Sequence, residues 1–189
     1  MLELAVLGLL LESPMHGYQL RKALGERLCG SRAFSYGSLY PALRRLSRAG
    51  HIVEEAQAPP ESGSTAWPRR SRKVYRLTAE GKERFAAMLD EAGPQAWEDD
   101  GFGVHLAFFS RTPADSRMRI LEGRRRRVEE RREGLRAALA RAGEQIDRYT
   151  RELHQLGLDA SEREVRWLNE LIAYERSEEP GPRDGLPQT

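Results

Sequence analysis

The hydrophobic pattern of the first 50 residues predicts three helices. Residues 2–11 are almost continuously apolar, which is typical of a buried helix, and the Ser13-Pro14 pair ends it. From His16 to Cys29 leucines recur at every fourth position, so a second helix with one apolar face is expected. A third helix is predicted from Tyr36 to Arg48, and Gly50 then suits the left-handed position that often follows a helix end.

The third predicted helix has two unlike faces. At about 100° per residue its leucines form one narrow stripe, which we expect to face a core. Taken alone, the basic residues of the other side are explained well enough as a solvated helix face, so the elements that follow must decide their role. That opposite side carries Gly37, Pro41, Arg44, Arg45 and Arg48.

Two short segments of alternating polarity predict a β-hairpin after these helices. The strands are expected over residues 51–55 and 72–77, joined by a long loop over 56–71 that is rich in Pro, Ser, Gly and Ala. Thr78 is expected to cap a fourth helix from Ala79 to about Glu91. The basic end of the hairpin loop holds Arg69, Arg70, Arg72 and Lys73.

The order of these elements is that of a winged helix-turn-helix, and their chemistry favours DNA. A helix that presents arginines fits the major groove, where a guanidinium can donate two hydrogen bonds to guanine. A basic hairpin tip can reach the adjacent phosphates or the minor groove. Because the arginine face occurs together with the wing and the strand order, we expect the first part of the chain to bind DNA.

The second half of the chain is predicted to be helical. Residues 92–103 contain a Gly-Pro pair and an acidic run, so a linker is expected there. A short helix over 104–110, a long helix from Ala114 to Leu156 and a last helix capped by Ser161 should follow. Residues 179–189 contain three prolines and two glycines and are expected to form a disordered tail.

The long predicted helix carries a seam that favours a homodimer. Its apolar residues recur at alternating spacings of four and three, as in a coiled coil. The seam extends about 33 Å at 1.5 Å per residue, close to the distance of roughly 34 Å between two half-sites on DNA. We expect this helix both to pair with its mate and to fold onto the last helix. The predicted interface comprises Leu135, Leu139, Ile146, Tyr149, Leu153 and Leu156.

Composition and charge narrow the function classes. No apolar run among the 189 residues approaches 18, and the N-terminus has no basic leader with a cleavage site, so a cytoplasmic protein is expected. Cys29 is the only cysteine, which excludes an internal disulfide, and it is expected to be buried and inert. Residues 1–90 carry 14 Lys and Arg against 9 Asp and Glu, whereas residues 91–189 carry 17 against 20. This asymmetry is compatible with a polyanion-binding module joined to an interaction module.

No constellation in the sequence supports catalysis, a metal site or a cofactor. The four histidines are scattered without the spacing of metal ligands. Gly101 and Gly103 lack the preceding strand and the third glycine of a nucleotide-binding loop. The acidic run over residues 98–100 has no positioned partner for acid-base chemistry. We therefore expect no enzymatic activity, no cofactor and no bound metal.

The N-terminal 90 residues resemble the PadR family of bacterial transcriptional regulators. The resemblance is carried, in order and at the family's spacing, by the segments Leu4–Leu10, His16–Leu20, Tyr36–Leu46 with Gly50, and Arg72–Gly81. It implies a dimeric repressor that binds a pseudo-palindrome near a promoter and is released by a small effector. The long helical region looks like that of the larger subfamily, which has an extended C-terminal dimerisation domain. The wing loop departs from the family pattern, since it is longer and contains Trp67-Pro68.

The resemblance also implies which residues meet DNA. The start of the recognition helix is matched by Tyr36, Gly37, Ser38, Tyr40 and Pro41, its basic turn by Arg44 and Arg45, and the wing strand by Lys73 and Tyr75. An alternative for Tyr40, and for Tyr18 in the preceding helix, is that each is a core residue with a polar tip.

A candidate effector site is an aromatic cluster at the junction of the two halves. Aromatic side chains with one histidine at a domain interface can line an apolar pocket, although plain core packing explains such a cluster as well. The cluster comprises Trp97, Phe102, His105, Phe108 and Phe109.

The sequence thus predicts a mainly α protein, with an N-terminal winged helix-turn-helix, a two-stranded wing and a C-terminal helical, coiled-coil-like dimerisation domain. The expected boundaries are 1–91 for DNA binding, 92–103 for the linker and 104–178 for dimerisation. The expected partners are double-stranded DNA, a second copy of the chain and a small aromatic or apolar effector. The alternative function is a winged-helix module for protein interaction that has no specific DNA binding, since fold alone does not decide function.

Overall fold

Three helices open the chain, as the hydrophobic pattern predicts. Helix α1 spans Leu2–Glu12, α2 spans Gly17–Arg27 and α3 spans Tyr36–Arg48. Cys29, at the predicted end of the second helix, lies outside the residues that the structure describes. This computed structural model describes residues 1–28, 36–56, 73–142 and 146–178.

A small antiparallel sheet follows the helices and includes one strand that the sequence did not predict. The two wing strands are β2 (Ile52–Ala56) and β3 (Lys73–Leu77), and β1 (Met15–His16) pairs with the other edge of β3, giving the order β1-β3-β2. The sheet is therefore three-stranded. Strand β1 was not predicted because two residues are too few to show an alternating pattern. The wing loop, with Trp67, Arg69, Arg70 and Arg72, lies outside the described residues.

Helix α4 (Ala79–Asp90) is tied to the end of α3 through Thr78. The Thr78 hydroxyl accepts a hydrogen bond from the Gly81 amide at 3.0 Å, which confirms the predicted cap, and donates to the Gly50 carbonyl at 2.7 Å. Gly50 has a φ of 76°, so the left-handed residue after the helix is also confirmed. Gly81 lies so close to the His51 carbonyl oxygen that any Cβ there would overlap it.

The core of this first part forms around α1. That helix is apolar on all sides, and seven consecutive residues, Leu4–Leu10, are buried. Leucines of α2, α3 and α4 and strand residues of β2 and β3 pack around it in one cluster. Its largest fully buried side chains include Leu4, Leu7, Leu20, Leu39, Leu43, Ile52 and Leu89.

The residues between the two predicted domains are more helical than expected. Helix α5 spans Pro94–Trp97, α6 spans Asp99–Leu106, and a short 3₁₀ helix spans Phe109–Arg111. Residues 92–103 are therefore not irregular throughout, and the helix predicted over 104–110 begins earlier, at Asp99, and is followed by the 3₁₀ helix. Proline is favourable in the first turn of a helix, and acidic residues stabilise the N-terminus of α6, so both features that suggested a linker are compatible with helix starts.

The chain divides into two compact units. The first comprises Met1–Glu91 and Asp99–Thr112, and the second comprises Ala92–Glu98 and Pro113–Thr189. The predicted domain boundaries remain a prediction, but α6 belongs to the compact unit that contains the winged helix. None of the helices in the described ranges is long and apolar enough to cross a membrane.

The second unit is a helical hairpin. Helix α7 spans Ala114–Ala142 and α8 spans Arg148–Glu178, so the single helix predicted from Ala114 to Leu156 was wrong. Asp147 caps α8, because its carboxylate accepts hydrogen bonds from the amides of Tyr149 and Thr150 at 2.8 and 3.1 Å. A hydrogen bond from the Thr150 hydroxyl also lowers the pKa of Asp147.

The predicted break between the last two helices is absent. Gly157, expected to end a helix, and Ser161, expected to cap the next, both lie within α8. The Ser161 hydroxyl donates to the Gly157 carbonyl at 2.8 Å, which is a bond within the helix and not a cap. Gly157 leaves room for Leu135, whose Cδ1 would lie 3.0 Å from a Cβ at that position.

The hairpin is held by a buried apolar seam and by arginine-carboxylate pairs. Ile120, Leu121 and Val128 of α7 and Leu168 and Ile172 of α8 are all buried. Arg124, with only 8% of its side chain exposed, lies 2.6 Å from Glu164, and Arg117 lies 2.6 Å from Glu175. These pairs fix the register between the two helices.

Candidate nucleic-acid interface

Helix α3 offers one basic face and buries the other. Leu39, Leu43 and Leu46 are between 0% and 3% exposed, so the leucine stripe anchors the helix in the first unit's core. Arg44, Arg45 and Arg48 are all exposed. The helix therefore has the orientation that a base-reading helix needs, with long cationic side chains directed away from the core.

The start of α3 lies against the start of α2. Gly37 is exposed, Ser38 and Pro41 are half-buried, and the Tyr36 side chain lies outside what the structure describes. Tyr40 is 43% exposed, and its ring passes over Gly17, with the hydroxyl oxygen 3.3 Å from where a Cβ would stand.

The exposure of Tyr18 and Tyr40 tests the alternative interpretation of both as core residues with a polar tip. Tyr18 is 66% exposed, so neither it nor Tyr40 is a core side chain. Both side chains are partly open to solvent.

The wing strands present two different faces. Lys73 and Tyr75 share the face of β3 that points toward the core, and Glu54 of β2 pairs directly with Tyr75. The Lys73 ammonium lies 2.6 Å from a Glu54 carboxylate oxygen, and this hydrogen bond raises the Lys73 pKa. On the other face Arg76 donates to Glu55 at 2.9 and 3.2 Å.

Tyr75 is much less exposed than the other described residues of the predicted DNA-contact set. Only 6% of Tyr75 is exposed, and burial is the main cause of its raised pKa. Tyr40 and Arg44 of α3 and Glu54 and Lys73 of the wing strands also shift this pKa electrostatically. The ring of Tyr75 therefore packs beneath this surface, and a DNA contact by Tyr75 stays a prediction.

His16 links α2 to the base of the wing, a role that sequence reasoning missed. Its amide donates to the Gln19 side chain at 2.8 Å, completing a capping box at the start of α2. Its Nδ1 lies 3.2 Å from the Lys73 carbonyl oxygen. The signal was present in the sequence, because a polar side chain three residues before a glutamine is a capping-box spacing.

The predicted effector cluster is divided between the two units, and its larger part is core. Phe102, His105, Phe108 and Phe109 belong to the first unit and are each at most 9% exposed. The Phe108 ring packs edge-on against Phe85 at 5.6 Å. The alternative interpretation, plain core packing, is therefore the better account of these four residues.

His105 is the polar member of that core. It is 2% exposed, and burial lowers its pKa to about 4, with a smaller contribution from the N-terminal amine. Its Nδ1 has no hydrogen-bond partner among the described residues. The imidazole is therefore neutral near pH 7.

Trp97 lines a cavity of about 370 Å³ in the second unit. Its indole lies over Gly123, where an added Cβ would stand 2.5 Å from the ring, and its carbonyl accepts a hydrogen bond from Arg124 at 3.2 Å. Glu122, one of the two acidic residues of the cavity wall, pairs with Arg176 at 2.9 Å. The lining comprises Ala92, Trp97, Arg119, Glu122, Gly123, Arg126, Arg127 and Glu130.

The predicted dimer seam is divided by the hairpin. Leu135, Leu139 and Ile146 are half-buried within the unit. The other three, on α8, are exposed: Tyr149 at 83%, Leu153 at 66% and Leu156 at 62%.

The exposed stripe continues along α8. Trp167 and Tyr174, which the sequence analysis missed, are 41% and 56% exposed. They extend the same alternation of four and three residues beyond Leu156, with intervening positions occupied by smaller or polar residues. This periodicity was the signal that could have found them. Helix α8 therefore has two apolar faces, one packed on α7 and one exposed among the residues that the structure describes.

Comparison with known proteins connects the first unit to regulators of transcription. Residues 6–87 match the model of the transcriptional regulator PadR-like family. No curated protein matches the chain.

Solved structures similar to the chain include PadR of Bacillus subtilis in complex with operator DNA, with 19% identity, a TM-score of 0.43, and coverage of 92% of this chain and 98% of that one. The same protein with p-coumaric acid matches with 20% identity, a TM-score of 0.41 and coverage of 93% and 98%. The PadR-like regulator BC1756 of Bacillus cereus matches with 20% identity, a TM-score of 0.41 and coverage of 95% and 100%.

Proposed function

We propose that this chain, whose residues 6–87 match the PadR-like family of transcriptional regulators, represses transcription by binding a pseudo-palindromic operator as a homodimer, and that a small molecule releases it. The observation that carries the proposal is the orientation of α3. Its leucines are buried, and Arg44, Arg45 and Arg48 are exposed on the opposite side.

The proposed DNA contacts divide into base readers and phosphate contacts. Arg44 and Arg45 lie in the third turn of α3 on its exposed face, and a guanidinium there can donate two hydrogen bonds to guanine in the major groove. Tyr40 and Ser38 lie nearer the helix start, where hydroxyl groups suit phosphate oxygens. From the sequence we add Tyr36, Gly37, Pro41, Arg48, Lys73 and the wing-loop residues Arg69, Arg70 and Arg72.

The exposed stripe of α8 supports the homodimer. Tyr149, Leu153 and Leu156 with Trp167 and Tyr174 form an apolar face at heptad spacing, and such a seam is buried when two copies pair. A second copy is the occupant that operator symmetry requires, since a dimer reads two half-sites of a pseudo-palindrome.

The oligomeric state tests this part of the proposal. Leu153→Asp with Leu156→Asp should yield a monomer in sedimentation, because two carboxylates cannot be buried unpaired in the seam. Arg166→Asp is the matched control, since Arg166 is exposed on α8 about 100° away from the stripe, and it should remain dimeric. A dimer that survives the double substitution would contradict an interface on this face.

The Trp97 cavity is the proposed effector site, replacing the predicted aromatic cluster. Its volume lies within the range of small-molecule sites, and an indole with three arginines can combine apolar contact with binding of an anionic group. PadR of Bacillus subtilis has been solved in complex with p-coumaric acid, and we propose that this chain also binds a small molecule.

Arg44→Ala tests the DNA-binding function. If Arg44 reads a base, its loss should cost about 1–3 kcal/mol of operator affinity and relax the base preference at one position of the operator. If Arg44 contacts a phosphate, the slope of log affinity against log salt concentration should become shallower by about 0.9. Lys82→Ala removes another exposed cation, from α4, and is the matched control. Equal effects of the two substitutions, or no DNA binding by the unaltered chain, would favour a protein-interaction module instead.

A further inference from the structure

A carboxylate occupies the wing side of the proposed DNA-binding surface. Glu54 Oε2 lies 2.6 Å from Lys73 Nζ, so an acidic side chain holds the one wing-strand cation of this face. The pair is partly open to solvent, with 27% of the Glu54 side chain and 59% of the Lys73 side chain exposed. A protein that only needed affinity for DNA would not place a negative charge here, since phosphates repel it.

The strand register places Glu54 on the face of the sheet that is turned toward the helices of the first unit. Glu54 lies directly across from Tyr75, and side chains alternate between the two faces of a strand. The Tyr75 hydroxyl interacts electrostatically with Glu54, Lys73, Tyr40 and Arg44. Because Tyr75 packs in one core cluster with the leucines of α3, this helix lies on the same side of the sheet as Glu54.

We propose that Glu54 is an electrostatic restraint on DNA binding, which holds Lys73 and lowers the affinity of this surface for any duplex. If Lys73 leaves Glu54 to meet a phosphate, the carboxylate is left unpaired beside the DNA. If Lys73 stays, the pair brings no net charge to the interface. In either case the contact yields about one phosphate less of sequence-independent attraction. This inference rests on the proposed function.

The expected size of the effect follows from counterion release. One additional neutralised phosphate steepens the slope of log affinity against log salt concentration by about 0.9. If two proteins bind DNA equally at 1 M salt, the one with the additional contact therefore binds about eightfold more tightly at 0.1 M. The gain should be the same for random DNA and for operator DNA, because phosphate contacts carry no sequence information. Weaker non-specific binding would help a regulator to leave the many competing sites of a genome.

Three substitutions in the full-length chain test the restraint, with fluorescence anisotropy on a random-sequence duplex from 0.05 to 0.3 M salt. Glu54→Gln should bind about eightfold more tightly at 0.1 M salt, with a steeper slope. Lys73→Gln should bind more weakly by a similar factor. The double variant should return to within about twofold of the unaltered chain, since both charges of the pair are gone.

Glu55→Gln is the matched control. Glu55 is the next residue of the same strand and pairs with Arg76 as Glu54 pairs with Lys73, but it lies on the opposite face of the sheet. Its substitution should change DNA affinity by less than about twofold, because charges on that face are remote from the bound phosphates. Circular dichroism melting of both variants verifies that each remains folded.

The outcomes separate this inference from the proposed function. Normal binding by the unaltered chain with an unchanged or weakened Glu54→Gln variant would overturn the restraint alone, as would equal gains from Glu54→Gln and Glu55→Gln. A Glu54→Gln variant that loses operator affinity but keeps its random-DNA affinity would make Glu54 a base reader, which also overturns it. No binding by any variant at 0.05 M salt would overturn both proposals.

Discussion

Lowering the pH should destabilise the first unit through His105. This imidazole is 2% exposed, and its Nδ1 has no partner among the described residues. Burial disfavours the charged form, so the pKa falls from 6.5 to about 4 in the folded chain, whereas the unfolded chain keeps the ordinary value. Between these two values the unfolded state binds more protons, and stability therefore rises with pH across that window.

The magnitude follows from the size of the shift. A difference of about 2.5 pH units corresponds to at most roughly 3 kcal/mol, which is fully present above about pH 6.5 and is lost progressively as the pH falls to about 4. Urea unfolding followed by circular dichroism at a series of pH values between 4 and 8 measures it. The free energy of unfolding of His105→Leu should change by that much less over the same pH range, whatever its value at pH 7. Parallel pH profiles for the two proteins would refute the reasoning.

Other substitutions should change the free energy of unfolding in directions that the packing fixes, and urea unfolding checks each. Gly81→Ala should cost about 2–3 kcal/mol, because the new methyl group would overlap a backbone carbonyl. Gly25→Ala should instead gain about 0.5–1 kcal/mol, because this position of α2 has open space around it. Similar effects at both positions would contradict the packing argument. Glu164→Gln should cost about 3 kcal/mol because it removes the carboxylate from Arg124, which is buried, while Glu162→Gln, in an exposed pair, should cost less than about 1 kcal/mol. Equal costs for these two would mean that the Arg124 pair does not stabilise the hairpin.

The first unit was predictable from sequence because its signals are local. The leucine stripe defined α3 with its observed ends, and Thr78 capped α4 as expected. Strand β1 was missed because a two-residue strand forms only through its pairing with β3, which the sequence of Met15 and His16 does not reveal.

The prediction for the second unit failed at the turn between α7 and α8 for a different reason. The apolar spacing of four and three residues continues from Leu139 to Tyr149, so periodicity alone could not detect the end of α7. Asp147 followed by Thr150 was the available stop-and-start signal, and it was outweighed by the seam. The burial of Tyr75 and of the phenylalanines around His105 was also not evident from the sequence, because chemical type does not tell whether an aromatic side chain lines a pocket or fills a core.

Selection of binding sites from fragmented DNA of the host tests the central claim most directly, with the full-length chain, Arg44→Ala and Lys82→Ala compared at one salt concentration. The account predicts that the unaltered chain and Lys82→Ala enrich the same inverted repeat, with half-sites about one helical turn apart, and that Arg44→Ala weakens or relaxes that preference. Uniform, salt-sensitive recovery of all fragments by all three proteins would contradict sequence-specific reading by α3.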